Sequence, residues 1–190
     1  YDALASVSTN IKIVVTTYFE HSNEATKILV NTPIWALGLD FIHGNKNLET
    51  IELIKNSNKV LIAGVIDGRN IWKSNFEDKV ALLNKISNVV SKENIIVGTS
   101  CSLLHVPFTL NYEEKLDSEI KSWLAFAVEK LKELSLVTKQ FFDLKLSLED
   151  SAIIKRNVEE NKQRKISSKI HNKVVQDEIK NLKVFERADK

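Results

Sequence analysis

Hydrophobic and polar positions come in blocks along this chain. Four apolar runs, 11–19, 35–42, 60–67 and 95–104, are each followed by a stretch in which apolar residues recur every three or four positions. The runs are too short for helices of ordinary length and are rich in Val, Ile, Thr and aromatics, which predicts buried strands. Strand followed by helix, repeated, implies right-handed crossovers and a parallel sheet. The first run is apolar on both faces through Ile13, Val14 and Val15, as a central parallel strand is. A complete eight-stranded barrel takes about 250 residues. Only four strand-helix units are visible in these 190 residues, so the pattern reads as an α/β half-barrel, part of a TIM-type (β/α)8 barrel.

The helical stretches carry their own punctuation. Ser22 or Asn23 is placed to cap a short helix with Ala25, Ile28 and Leu29 on one side, and Pro33 blocks its continuation. Asn47 is read as the cap of a helix that uses Leu48, Ile51 and Ile54. Asn75 and Asp78 sit at capping spacing before an inward stripe of Val80, Leu83, Ile86 and Val90. Asn111 followed by Glu114 opens the strongest pattern, through Leu116, Ile120, Trp123, Ala127, Leu131 and Leu134. Beyond Thr138 the pattern stays helical, in elements expected to be shorter and more polar. The organisation predicted is a half-barrel over 1–138 and a C-terminal helical extension over 139–190.

Composition narrows the class. With 43% hydrophobic side chains the chain can bury a core and is not disordered. It contains no Met, and it reads as an excised piece of something larger. The net charge of +2 hides an asymmetry, because 151–190 hold eleven Lys and Arg against six Asp and Glu, while 1–150 are mildly acidic. A basic tail suits nucleic acid or an anionic membrane. The interspersed Glu159, Glu160, Asp177 and Glu178 favour a solvated amphipathic helix instead, so neither partner is expected. Cys101 is the only cysteine, which excludes an intrachain disulfide. With no apolar stretch of membrane length and no signal-peptide pattern, the expected location is cytoplasmic.

Candidate chemistry follows from position. In parallel α/β folds the functional groups gather at the carboxyl ends of the strands. That rule nominates Thr17, Tyr18, Glu20, His21, Asp40, His43, Asp67, Arg69, Asn70, Ser100, Cys101 and His105. Cys101 with His21, His43 or His105 suggests a thiolate-imidazole pair or a zinc site, but none shows metal-ligand spacing, and a buried, unreactive thiol is the plainer reading. Asp67 and Arg69 offer either an anion site or an internal ion pair that holds the loop. Asp40 and Asp67 are a possible carboxylate pair whose separation the spacing does not fix. The glycines at 38, 44, 64, 68 and 98 stand singly, which excludes Rossmann and Walker phosphate loops. Trp35, Trp72 and Trp123 read as packing residues.

Several of these loops together resemble one family. Leu39-Asp40-Phe41-Ile42-His43-Gly44, Gly64-Val65-Ile66-Asp67-Gly68-Arg69-Asn70-Ile71-Trp72 and Ser100-Cys101-Ser102-Leu103-Leu104-His105-Val106-Pro107 are similar to the amino-terminal barrel of the cobalamin-independent methionine synthases. Leu116-Asp117-Ser118-Glu119-Ile120-Lys121-Ser122-Trp123-Leu124-Ala125-Phe126-Ala127 and Ile170-His171-Asn172 continue the match. The resemblance implies strands five to eight of that barrel, followed by helices leading to the linker between the enzyme's two barrels. It implies a parent enzyme that moves a methyl group from 5-methyltetrahydrofolate triglutamate to homocysteine, forming methionine. Zinc in the carboxyl-terminal barrel holds the substrate thiolate there. The implied partners are that catalytic barrel and the first half of the amino-terminal one.

The resemblance assigns no catalytic, cofactor or metal residue to this chain. Set against the catalytic barrel, Cys101 stands where one zinc-binding Cys sits, but Val15, Thr17 and Ile42 occupy the places of the other ligands. A barrel that has lost its metal and now supports its partner is the reading implied. Asp40, His43, Asp67, Arg69, Asn70, Cys101 and His105 are then mouth residues, fastening loops or touching a ligand. The alternatives are a free-standing module that captures a small anion through Arg69 and an enzyme that uses Cys101 as nucleophile. The first and last strands present unpaired edges, so self-association or cover by the C-terminal helices is expected.

Overall fold

In the computed structural model, which describes residues 1–7 and 10–182, the four expected strands form one sheet. They are β1 (Val14–Thr16), β2 (Ala36–Asp40), β3 (Val60–Ile66) and β4 (Ile95–Thr99), paired in chain order. Every pairing is parallel. Strand order without reversal gives no topological switch point, which separates this sheet from doubly wound folds. An open, consecutive parallel sheet with flanking helices fits a half-barrel.

The helices are α1 (Asp2–Ala5), α2 (Asn23–Leu29), α3 (Ile51–Lys55), α4 (Phe76–Ser87), α5 (Ser118–Ser122), α6 (Ala127–Phe141), α7 (Leu148–Ile166) and α8 (Lys173–Asn181). One face of the sheet, through Leu37, Leu39, Leu61, Ala63, Ile95 and Val97, joins Leu83, Ile86, Leu136, Val137 and Phe141 in a single core. The other face is less covered, and Val14 and Ile96 are 43% and 41% exposed. Asn75 caps α4 by accepting the Glu77 N–H, and Leu83, Ile86 and Val90 are buried, as the stripe predicts.

Several expectations are corrected. The first strand is three residues long rather than nine, because β1 lies at the sheet edge and pairs with β2 alone. The fourth ends at Thr99, after which the chain turns into a 3-10 helix, Leu103–His105, capped by Ser102. On α2, Leu29 is buried but Ile28 is exposed, and Thr26 takes the inward place. The pattern from Asn111 to Leu134 is not one helix. Asp117 caps the short α5, Trp123 closes it in a helical turn, and 124–126 then run alongside 71–73. There Lys73 N–H donates to the Trp123 carbonyl and Ala125 N–H to the Ile71 carbonyl, each at 2.8 Å. Ile120 on α5 packs with Leu110, Leu124 and Phe126, whereas Leu136 and Val137 on α6 join the sheet's core.

The tail also differs from expectation. α7 is 19 residues long, the longest helix among the described residues. Ser147 and Asp150 cap it reciprocally, Ser147 Oγ accepting the Asp150 N–H and the Asp150 carboxylate accepting the Ser147 N–H. It is docked rather than solvated, burying Asn157 and Asn161, whereas α8 leaves Val174, Val175 and Ile179 exposed. Residues 183–190 of the expected extension lie outside the described residues. No helix is long and apolar enough to cross a membrane among the described residues.

Candidate functional site

Parallel strands bring their carboxyl ends to one side, and the loops that leave them meet there. Asp40, fully buried at the end of β2, is the hub. Its Oδ1 accepts the N–H groups of Ile42 at 2.8 Å and His43 at 3.0 Å, and its Oδ2 accepts that of Glu20 at 3.3 Å. The carboxylate thus shapes its own exit turn and tethers the exit of β1 as well. Glu20 sits in the left-handed region, at φ 66°, where a non-glycine residue needs such support.

Asn47 was expected as a helix cap and instead brackets these loops. It is fully buried, its Nδ2 donates to the carbonyls of Asp40 at 2.7 Å and Glu20 at 3.2 Å, and its Oδ1 accepts the Ser22 N–H at 2.8 Å. Thr17 donates to the Gly38 carbonyl at 3.0 Å and shares a hydrogen bond with Ser22.

Asp67, just past β3, is also buried and bound. It accepts the Arg69 N–H at 2.8 Å and a hydrogen bond from the Asn70 amide, and His43 Nε2 lies 3.4 Å from the carboxylate. Of the two readings of Asp67 and Arg69, an anion site or an internal ion pair, the ion pair does not form. The Arg69 guanidinium lies over the Phe19 ring, 4.7 Å from its centroid, and His105 meets the same ring edge-on at 5.3 Å. Phe19 closes the first apolar run of the sequence, and its apolar character alone gives no hint of this stacking role. Tyr18 joins Phe19 edge-on, and His21 is exposed.

Ser100 and Cys101 close the far side. Ser100 Oγ accepts the Gly68 N–H at 3.1 Å. Gly68 fits because a Cβ there would lie 2.7 Å from the Cys101 carbonyl oxygen. The thiol of Cys101 is 3% exposed and turned to the Ser102 carbonyl at 3.6 Å. Burial pushes its pKa up against an opposing hydrogen bond from Ser100, which disfavours the thiolate that a nucleophile needs. Behind Asp67 lie two lysines, Lys79 and Lys130, whose pKa values burial lowers while nearby carboxylates pull them back.

Residues 1–91 match the family model described as cobalamin-independent synthase, N-terminal domain. Over 98% of its length the chain is 45% identical to the 5-methyltetrahydropteroyltriglutamate--homocysteine methyltransferase of Desulforamulus reducens. The chain belongs to the cobalamin-independent methionine synthase family. A Kali turgidum relative of the same name is 39% identical over 96% of the chain, and a chloroplastic Arabidopsis thaliana relative is 36% identical over a similar share. The chain spans about a quarter of the length of these curated relatives, 24% for the first two.

In this member of the cobalamin-independent synthase family, the zinc-ligand positions implied by the resemblance do not make a metal centre. Val15 and Ile42 have no donor atom, the Thr17 hydroxyl is bound to Gly38 and Ser22, and the Cys101 thiol is buried with a raised pKa. No three His, Cys, Asp or Glu side chains converge for a metal among the described residues.

Proposed function

We propose that the chain is a supporting, non-catalytic portion of an enzyme that moves a methyl group from 5-methyltetrahydropteroyltriglutamate to homocysteine. The observation that carries this reading is the 45% identity to a relative of that name over nearly the whole chain, at a quarter of that relative's length. In this reading, 1–138 supply strands five to eight of a TIM-type barrel, and 139–190 lead to the linker between barrels. In this reading zinc, which stabilises the substrate thiolate, belongs to the carboxyl-terminal barrel of the parent enzyme, and no cofactor is assigned to this portion.

The mouth supports a structural role. Asp40 and Asp67 direct their carboxylates to neighbouring backbone N–H groups and to Asn70. Carboxylates bound in this way shape loops and are poorly placed to bind substrate. The catalytic barrel and the first half of this barrel are the proposed partners, and the isolated chain self-associates through its open edges. The proposed compartment is the cytoplasm; one plant relative is named chloroplastic, so family membership alone does not decide it.

Replacing the corresponding quarter of the Desulforamulus reducens relative with this chain tests the reading. The chimera is expected to restore growth of a methionine auxotroph, whereas the isolated chain gives no methyl transfer and no calorimetric heat with folate triglutamate. Failure of a folded chimera, or turnover by the isolated chain, overturns it. A second reading, capture of a small anion, is favoured by the exposed Arg69, whose guanidinium meets Phe19 rather than a carboxylate. Saturable phosphate or folate-triglutamate binding that Arg69→Ala abolishes would establish that reading instead.

A further inference from the structure

A cleft of about 470 Å³ opens where loop 67–76 meets the start of α4 and the end of α7. Its lining carries four cations, Lys73, Lys79, Arg164 and Lys165, against two carboxylates, Asp67 and Asp78. An excess of one sign in a concave site raises the local concentration of the opposite one, so small anions gather here.

Most of the inner charges are already engaged. Lys73 is paired with Glu160. Arg164 donates to the Lys73 carbonyl at 3.1 Å and to Asn161 Oδ1 at 3.0 Å. Asp67 holds the Arg69 N–H and the Asn70 amide.

Lys79 differs from all of these. It is half-buried on α4 and makes no hydrogen bond or ion pair among the described residues. Its Nζ keeps open surface, because it is not among the fully buried atoms that lack a partner. Asp78 on its own helix, Asp67 on the loop and Glu133 on α6 act on it only from beyond pairing distance. Burial favours the uncharged amine over the ammonium, against the pull of those carboxylates. An amine that is accessible, unpartnered and partly desolvated is a nucleophile.

We propose that Lys79 is a modification site, acylated by small acyl phosphates that the surrounding cations gather. The uncharged amine attacks the acyl carbon, and the new C–N bond forms as the bond from that carbon to the phosphate oxygen breaks. The departing phosphate carries away the bonding pair and the proton that the nitrogen gives up. Acylation removes the one cation that faces Asp67 from α4, at the base of the loop that carries Arg69 and Asn70.

Acetyl phosphate is the probe, applied to the folded 190-residue chain with peptide mass spectrometry as the readout. Lys79 is expected to be acetylated about fivefold faster than the exposed Lys155 and Lys162, because only the uncharged amine attacks. In urea, where cleft and burial are lost, that preference disappears. Lys165→Ala, at an exposed position, slows the reaction of Lys79 with acetyl phosphate about twofold and leaves its reaction with the neutral N-hydroxysuccinimide ester of acetic acid unchanged. Labelling of Lys79 no faster than of Lys155, a preference that survives in urea, or an acetyl phosphate rate that Lys165→Ala leaves unchanged overturns the proposal.

Discussion

At the strand ends Asp40 meets three backbone N–H groups, whereas beyond the other end of loop 67–76 Glu133 meets one and leaves its second oxygen bare. Both carboxylates are buried. The difference lies in what each can reach. Asp40 stands where the chain leaves a strand, so its own exit turn supplies two donors within three residues and the adjacent β1 loop brings a third. Glu133 projects from the middle of α6, where the backbone donors are already used within the helix, and depends on another element to approach it. Asp40 is satisfied largely by its own exit turn, while Glu133 depends on what the fold packs against α6.

The largest expected effect tests the first half of that contrast. Asp40→Ala strips the acceptor from the N–H groups of Glu20, Ile42 and His43 at a fully buried position. Losing three part-buried hydrogen bonds to one charged acceptor costs about 3–5 kcal/mol, to be measured by urea unfolding. Loss below about 1 kcal/mol would show that the loops hold their shape without the carboxylate.

Next comes Asn157, which fixes the 67–76 loop from α7. Its Oδ1 accepts the Phe76 N–H at 3.1 Å, and its Nδ2 donates to the Ser74 carbonyl at 2.8 Å. Asn161 also donates to that carbonyl, at 3.3 Å, so Asn157→Leu orphans one group and weakens the hold on another. The expected loss is about 2 kcal/mol, with faster hydrogen exchange at Phe76.

A smaller, pH-dependent effect is expected at Asp150. Lys139 at 2.6 Å and Lys132 at 3.1 Å hold its carboxyl well below the usual carboxylate range. A depressed folded pKa contributes stability above the unfolded value of about 3.9, and that contribution is lost as pH falls toward the folded one. Asp150→Asn therefore lowers Tm at pH 7, and the gap to the parent chain closes in acid below about pH 4.

The strands and their shared end were legible because parallel pairing writes itself as short apolar runs, and β2 to β4 fall inside the runs that predict them. Asn75 and its stripe were legible because capping and periodicity are local. Asn47 was not, since a buried Asn that joins three separate carbonyls and N–H groups looks in sequence like any cap. The break at 124–126 was hidden because its cause, pairing with 71–73, is some fifty residues away. Glu133 and Lys130 sit among the polar positions of an amphipathic helix, and only the docking of α7 and the 72–76 loop buries them.

Arg69 gives the smallest effect and the finest test of the mouth. Its guanidinium is exposed, pairs with no carboxylate among the described residues, and lies on Phe19, itself 44% exposed. A cation over an exposed ring contributes about 0.5–1 kcal/mol, so Arg69→Ala lowers stability by no more than that. Arg69→Lys does not restore the loss fully, because an ammonium cannot lie flat on the ring as a guanidinium does. Asp67 is insulated from both changes, since it holds the Arg69 backbone N–H and not the side chain. If urea unfolding finds Arg69→Ala as costly as Asp40→Ala, the guanidinium is a structural member of the loop network. A small loss leaves it free to face whatever the mouth meets.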